Sequence, residues 1–229
     1  MERQDIIHAL KNVREKSPKR KFSQTIDFIV NLQGLDLKKP EHKVDLAVPL
    51  PHERAKKLRL CGFVDSQLAA QAKTMFATVV TKDEFPKWAS DKRAQKKLAD
   101  THDLFISQVE VMAQVAATFG KVLGPRGKMP NPRAGAVIPG AAQLAPLMKR
   151  WENMVKVQTK NELVIKVPVG DEKMNDEQIA DNVLAVYNTL LSKLPQEKNN
   201  VRNTLLKFTM GPIFKIGEGW KKQSMKVKA

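Results

Sequence analysis

The chain has 229 residues, 42% of them hydrophobic, which is enough to bury one large core or two smaller ones. Lys and Arg number 40 against 24 Asp and Glu, so the net charge is +16, an excess that costs self-repulsion unless a polyanion relieves it. The single cysteine, Cys61, excludes an internal disulfide and a Cys-based zinc site, and no run of about 18 apolar residues offers a transmembrane helix.

In chain order, residues 3–15 place Ile6, Ile7, Leu10 and Val13 at helical spacing. The polar start, Met-Glu-Arg-Gln-Asp, is not a secretory signal. A basic connector follows, with Lys11, Arg14, Lys16, Lys19, Arg20 and Lys21 against Glu15 alone. Phe22, Ile26, Phe28 and Val30 then alternate with Ser23, Thr25, Asp27 and Asn31, which predicts a strand with a polar outer face. Lys43–Leu50 reads as a second strand closed by Pro49 and Pro51.

Near Leu58 the style changes. Leu58–Val64, Ala77–Thr81, Leu104–Ser107 and Lys121–Leu123 are short apolar runs. Ser66–Met75, Lys87–Ala99 and Gln108–Phe119 between them read as helices, the last capped by Gly120. This alternation predicts a largely parallel sheet covered by helices. A further helix is expected over Pro139–Asn153. From Val155 the first style returns, with strands at Val155–Val157 and Leu163–Val169. Asn175–Leu194 is an amphipathic helix with a stripe of Ile179, Val183, Val186, Leu190, Leu191 and Leu194, and Asn175 with Gln178 is placed to cap it. Leu205–Phe214 is a last strand interrupted by Met210-Gly211-Pro212, and the Lys-rich tail Lys215–Ala229 is expected to be disordered without a partner.

The fold class expected is α/β (α+β) in two domains. A discontinuous domain is built from 1–57 and 155–229, with an α/β domain, 58–154, inserted into it. Cations outnumber anions 26 to 16 outside the insert and 14 to 8 within it. The outer domain is therefore expected to hold the main binding surface. Two chain crossings near Lys57 and Val155 would form a two-stranded hinge.

The motifs argue against an enzyme. A doubly wound insert invites a nucleotide site, but no Gly-x-Gly-x-x-Gly follows Leu58–Val64. Gly127-Lys128 lacks the earlier P-loop glycine (Val122 stands there) and the following hydroxyl (Met129). His8, His42, His52 and His102 are scattered, and His102-Asp103 reads as a turn or cap. Asp171-Glu172 and Asp176-Glu177 sit where they complement a helix dipole. Cys61 reads as a small buried hydrophobe. No catalytic residue, metal or cofactor is assigned.

Two segments remain. Residues 123–133 (Leu-Gly-Pro-Arg-Gly-Lys-Met-Pro-Asn-Pro-Arg) form a stiff loop carrying Arg126, Lys128 and Arg133, suited to a phosphate backbone. In Lys207-Phe208-Thr209-Met210-Gly211-Pro212, Gly-Pro marks a bulge or a close backbone approach, and Thr209 can donate to a phosphate or a ribose hydroxyl. A plain edge-strand irregularity is the competing reading.

Together with Lys21-Phe22-Ser23-Gln24-Thr25-Ile26-Asp27, Leu50-Pro51-His52 and Val167-Pro168-Val169-Gly170, these motifs give the chain a specific likeness. It resembles the large-subunit ribosomal protein L-one family, in its archaeal form, over nearly its whole length. The resemblance implies a split β-α-β domain from both termini and an inserted Rossmann-like, three-layer α/β/α domain. It implies binding of large-subunit ribosomal RNA in the mobile stalk beside the tRNA exit site, help in releasing deacylated tRNA, and repression of the chain's own messenger RNA. Partners so implied are ribosomal RNA, the messenger and tRNA, with no membrane, for a cytoplasmic, ribosome-associated chain that is a monomer when free. RNA-contacting positions carried over are Lys21, Phe22, Thr25 and Asp27 from the first strand, Lys166, and Lys207, Thr209, Met210, Gly211 and Pro212 from the last. The 123–133 loop is a family signature, for which RNA contact and shaping of the insert both stand. For Asp27, accepting from a 2′-hydroxyl or guanine edge and holding a cation in place both stand. The other function classes are a nucleotide-dependent enzyme and a general polyanion or DNA-binding regulator. With aromatics at only 6%, base stacking is not expected to dominate.

Overall fold

The helical spacing of Ile6, Leu10 and Val13 becomes α1 (Arg3–Lys16), which buries those residues together with Ala9. The alternation that follows becomes β1 (Thr25–Leu32), with Ile26, Phe28, Val30 and Leu32 in the core. The computed structural model describes residues 1–39, 42–53, 58–132, 135–140, 144–159 and 162–217. Along the chain come β2 (Asp45–Pro49), β3 (Leu60–Val64), α2 (Ser66–Met75), β4 (Thr78–Thr81), α3 (Phe85–Ser90), α4 (Lys92–Thr101), β5 (Leu104–Gln108), α5 (Met112–Leu123) and β6 (Val137–Ile138). They are followed by α6 (Leu144–Glu152), β7 (Met154–Gln158), β8 (Val164–Asp171), α7 (Asp176–Leu191), β9 (Val201–Phe208) and β10 (Phe214–Lys215). The chain divides into two units, Met1–Ala55 with Asn153–Ala229, and Lys56–Glu152.

In the first unit β1 lies between β8 and β9, antiparallel to both, and β10 adds to β9, giving the order β10-β9-β1-β8. Side chains alternate across a sheet, so one face collects Ile26, Phe28, Val30, Ile165, Val167, Val169, Leu206 and Phe208. α1 and α7 cover that face with Ile6, Leu10, Val13, Ile179, Val183, Val186 and Leu190. Burying each such side chain stabilises the fold by about 1.5–3 kcal/mol before entropy is counted. β2 and β7 form a separate antiparallel pair, from Asp45↔Gln158 to Pro49↔Met154.

In the second unit β4-β3-β5-β6 is wholly parallel. Cys61 and Phe63 point to one face, where Val80, Phe85, Leu98, Phe105, Val115 and Phe119 join them under α3, α4 and α5. Gly62 points to the other, where α2 and α6 lie and the Phe76 and Trp151 rings stack at 6.3 Å. A Cβ at Gly62 would stand 2.9 Å from the Phe76 ring, so close helix–sheet packing requires glycine there. Burial pushes the Cys61 thiol up to about 12, as expected of an inert core cysteine.

Several sequence expectations are corrected. Phe22 is 55% exposed rather than on the core face, because β1 starts only at Thr25, where pairing with Asp171 begins. Lys121–Leu123 is not a strand but the end of α5, which runs through Gly120. The fourth parallel strand is β6, too short to show periodicity. The single helix expected over Lys87–Ala99 is two, split at Asp91, whose carboxylate caps α4 by accepting from the N–H groups of Arg93 and Ala94. Asn175 stands at the N-cap of α7 but makes no side-chain capping bond. The tail beyond Gly217 and the crossing near Lys57 lie outside the described residues.

Candidate nucleic-acid interface

The face of the first unit's sheet away from α1 and α7 carries polar and charged side chains among apolar ones. Asp27 stands opposite Pro168 on β8 and Lys207 on β9; Ile29 stands opposite Lys166 and Leu205; Asn31 stands opposite Asn203. Cross-strand partners share a face, so β1, β8 and β9 bring Asp27, Lys166 and Lys207 together, with Asn31 donating to Asn203 Oδ1 at 2.6 Å. Pro168 sits in an edge strand beside a register shift at Ile26/Asp27, where a missing N–H is tolerated. Partial burial raises the Asp27 carboxyl above its ordinary 3.8, and the Lys207 cation opposes that rise.

At the end of this face the chain leaves β9 through the turn 209–212. Thr209 donates to Thr25 O from its N–H at 3.0 Å and from its hydroxyl at 3.1 Å. Gly211 N–H donates to Phe208 O at 2.9 Å, and a Cβ at Gly211 would lie 2.9 Å from Ser17 Oγ and 3.1 Å from Phe208 Cβ. A side chain here would press on Ser17 and Phe208, where the turn approaches the end of α1. Met210, 61% exposed, and Ile213, 52% exposed, are apolar surface at the same turn, and Pro212, Lys21 and Phe22 are exposed as well. The Thr209 hydroxyl hydrogen is already spent on Thr25 O. What it offers a ligand is therefore its lone pairs, an acceptor for a ribose 2′-hydroxyl rather than the donor expected from sequence.

Three residues not expected from sequence to belong to the site hold this turn. Gln24 is buried, and its Oε1 accepts from Met210 N–H at 3.3 Å. The Gln24 backbone is bound in turn to Glu172, which accepts from Gln24 N–H at its carboxylate and donates its own N–H to Gln24 O at 2.9 Å. Arg14, read as part of a basic connector, spends its guanidinium on Asp176 Oδ1 and on the carbonyls of Glu172 and Met174, each at 2.7 Å. A signal for Gln24 did exist: it is a polar residue at a core-parity position between Phe22 and Ile26.

A match to the model of the ribosomal protein L1p/L10e family runs over residues 12–212. The chain belongs to that family. Among its relatives, the large ribosomal subunit protein uL1 of Methanothermococcus thermolithotrophicus is 40% identical over 216 residues, covering 94% of this chain and 99% of that protein. The uL1 protein of Methanocaldococcus jannaschii is 37% identical over 94% of this chain and 96% of its own length, and that of Pyrococcus abyssi 35% over the same shares. These relatives carry the name of a ribosomal subunit protein, not of an enzyme. The mixed α/β fold agrees with the family, and no helix among the described residues is long and apolar enough to cross a membrane.

The 123–133 signature of this L1-family chain lies in the second unit, away in sequence and sheet from the strands above. Lys128 Nζ donates to Ala99 O at 2.8 Å and His102 O at 2.7 Å, and Arg126 binds Lys96 O and the Asp100 carboxylate. Both cations thus serve the C-terminal carbonyls of α4; Arg133 lies outside the described residues. At the C-terminal ends of the parallel strands, where dinucleotides rest in doubly wound folds, Asp65 caps α2 with its own carboxylate. Gln108 there accepts from Asp65 N–H at 2.9 Å and donates to Glu110.

Asp27 also yields a stability prediction. Its pKa is raised by folding, so the native chain binds that proton more tightly than the unfolded chain. Its contribution to stability is therefore lost as pH climbs from the ordinary value of 3.8 through the raised native one. Asp27→Asn should melt higher than the wild type at neutral pH. The gap should close as pH falls toward 3.8, and a thermal melt series across acidic pH reads it directly.

Proposed function

We propose that this chain is a structural protein of the large ribosomal subunit, and that its split domain (1–57 with 155–229) binds ribosomal RNA on the sheet face of Asp27, Lys166 and Lys207 and on the 209–212 turn. The observation that carries the reading is the convergence of Thr209, Met210, Gly211, Asp27, Lys166 and Lys207 on the sheet face opposite α1 and α7 and on its rim. RNA helices are recognised mainly by shape and by 2′-hydroxyl and phosphate contacts. Hydroxyl and carboxylate acceptors beside lysines on a rigid sheet match those three demands. The relatives' names as large-subunit proteins support the ribosomal assignment.

The finer reading is that the RNA is the mobile stalk beside the tRNA exit site, whose movement assists release of deacylated tRNA. A similar RNA structure in the chain's own messenger would occupy the same face and so repress translation; the family resemblance supports both statements. Binding of a folded stalk RNA fragment, measured against an unrelated duplex of equal charge, tests the core of the proposal. Thr209→Ala should weaken the stalk RNA by about 1–3 kcal/mol while leaving duplex binding alone, and Thr209→Ser should restore it. Equal affinity of the wild type for the two RNAs would defeat the reading.

A further inference from the structure

α4 carries its charges at the wrong end for its own stability. Lys92 and Arg93 open the helix, its first turn has no acidic side chain, and its last turn has no basic one. Cations at a helix N-terminus oppose the positive end of the dipole. Lys96 and Lys97 repeat the pattern one turn on, at i+4 from Lys92 and Arg93, where like charges repel. All four side chains are exposed, and among the described residues none of them forms an ion pair. The neighbouring carboxylates are committed elsewhere: Asp91 caps the helix and Asp100 pairs with Arg126.

The helix is nevertheless firmly held. Asp91 fixes its start, Gln95 Nε2 donates to Trp88 O at 2.6 Å, and Lys128 and Arg126 from the signature loop bind carbonyls in its last turns and just beyond. The cations that the C-terminus requires are thus supplied from outside, while the helix's own cations are left on its outer face. A local conflict that the fold goes to this length to sustain marks a functional surface.

We propose that the outer face of α4 is a second RNA site. There Lys92, Arg93, Lys96 and Lys97 grip the phosphates of an RNA segment other than the one held on the sheet face. The proposal rests on the reading that this chain works on RNA. Successive cations one turn apart span about 6 Å along the helix, which lets the face track a backbone rather than a single phosphate. None of the exposed large hydrophobic side chains, Phe22, Met75, Val109, Met210 and Ile213, lies on α4. A protein interface has an apolar core, whereas a nucleic-acid interface is polar and positively charged, so the face fits RNA rather than an acidic protein.

The test uses the intact chain saturated with the folded stalk RNA fragment and titrated at moderate salt with a short RNA duplex of unrelated sequence. The variant K92Q/R93Q/K96Q/K97Q keeps helix propensity, because glutamine is about as good a helix former as lysine. It is expected to bind the duplex at least tenfold more weakly, with a shallower salt dependence. It should hold the stalk fragment within twofold of wild type and melt no lower than wild type. Met210→Asp should show the opposite pattern. Unchanged duplex binding by the four-glutamine variant, or exclusion of the duplex by bound stalk fragment, overturns the proposal. So does a polyglutamate peptide that displaces the duplex from the wild type at lower concentration than RNA does. If the wild type fails to hold the stalk fragment while its duplex binding still depends on the four cations, the sheet-face reading falls and the α4 site stands.

Discussion

Phe63→Ala should strongly destabilise the second unit, Lys56–Glu152, and leave stalk RNA binding nearly intact. Phe63 is fully buried at the centre of an aromatic cluster, with ring centroids 4.8 Å from Phe119, 5.8 Å from Phe105 and 6.1 Å from Phe85. Truncating such a residue to alanine removes its transfer energy and leaves a cavity, at a cost of about 3–5 kcal/mol. That is a large share of the ~5–15 kcal/mol by which an ordinary domain is stable. The first unit has a core of its own, from Ile6 and Phe28 to Val183 and Phe208. Calorimetry should therefore resolve two transitions in the wild type and show only the second unit's falling in the variant. Affinity for the stalk fragment should stay within about threefold, because every contact proposed for it lies on the first unit's strands and turn. A parallel loss of RNA affinity would mean that the binding surface is not confined to the split domain.

How much of this was legible beforehand depends on the physics behind each feature. Long periodic segments were readable: α1 follows its apolar spacing almost to the residue, α7 follows it as far as Leu191, short of the expected Leu194, and β1 from Thr25 on, β8 and the parallel strands β3, β4 and β5 follow their apolar runs. Features set by one side chain were not. Asp91 breaks a helical pattern through a cap bond that periodicity cannot see, and a glycine in the expected cap position of α5 is simply carried through as helix. The candidate interface was readable as composition, a polar strand face plus a Gly-Pro irregularity. Its scaffolding was not, because Arg14, Gln24 and Glu172 act through partners more than a hundred residues distant in sequence. The charge count likewise could not say which cations are free. Arg14, Arg126 and Lys128 are spent on carbonyls and carboxylates, while the four on α4 are not.

Met210→Asp should lower affinity for the folded stalk RNA by at least about a hundredfold, since like charges forced together across an interface cost several kcal/mol. The substitution is clean because the turn does not use this side chain to fold. The backbone N–H of Met210 goes to Gln24 Oε1, Thr209 is tied twice to Thr25 O, and Gly211 is closed onto Phe208 O. Met210 is 61% exposed, so stability should change by no more than about 0.5 kcal/mol. Met210→Leu separates the two effects that aspartate combines. It keeps an apolar contact and adds no charge, so it should remain within a few fold of wild type. Salt separates them again: the charge-repulsion part of the aspartate defect should shrink as ionic strength rises, and the part due to lost apolar contact should not. If Met210→Asp binds stalk RNA as the wild type does, the 209–212 turn lies outside the interface. The acceptor role drawn for the Thr209 hydroxyl would then have no ligand to meet.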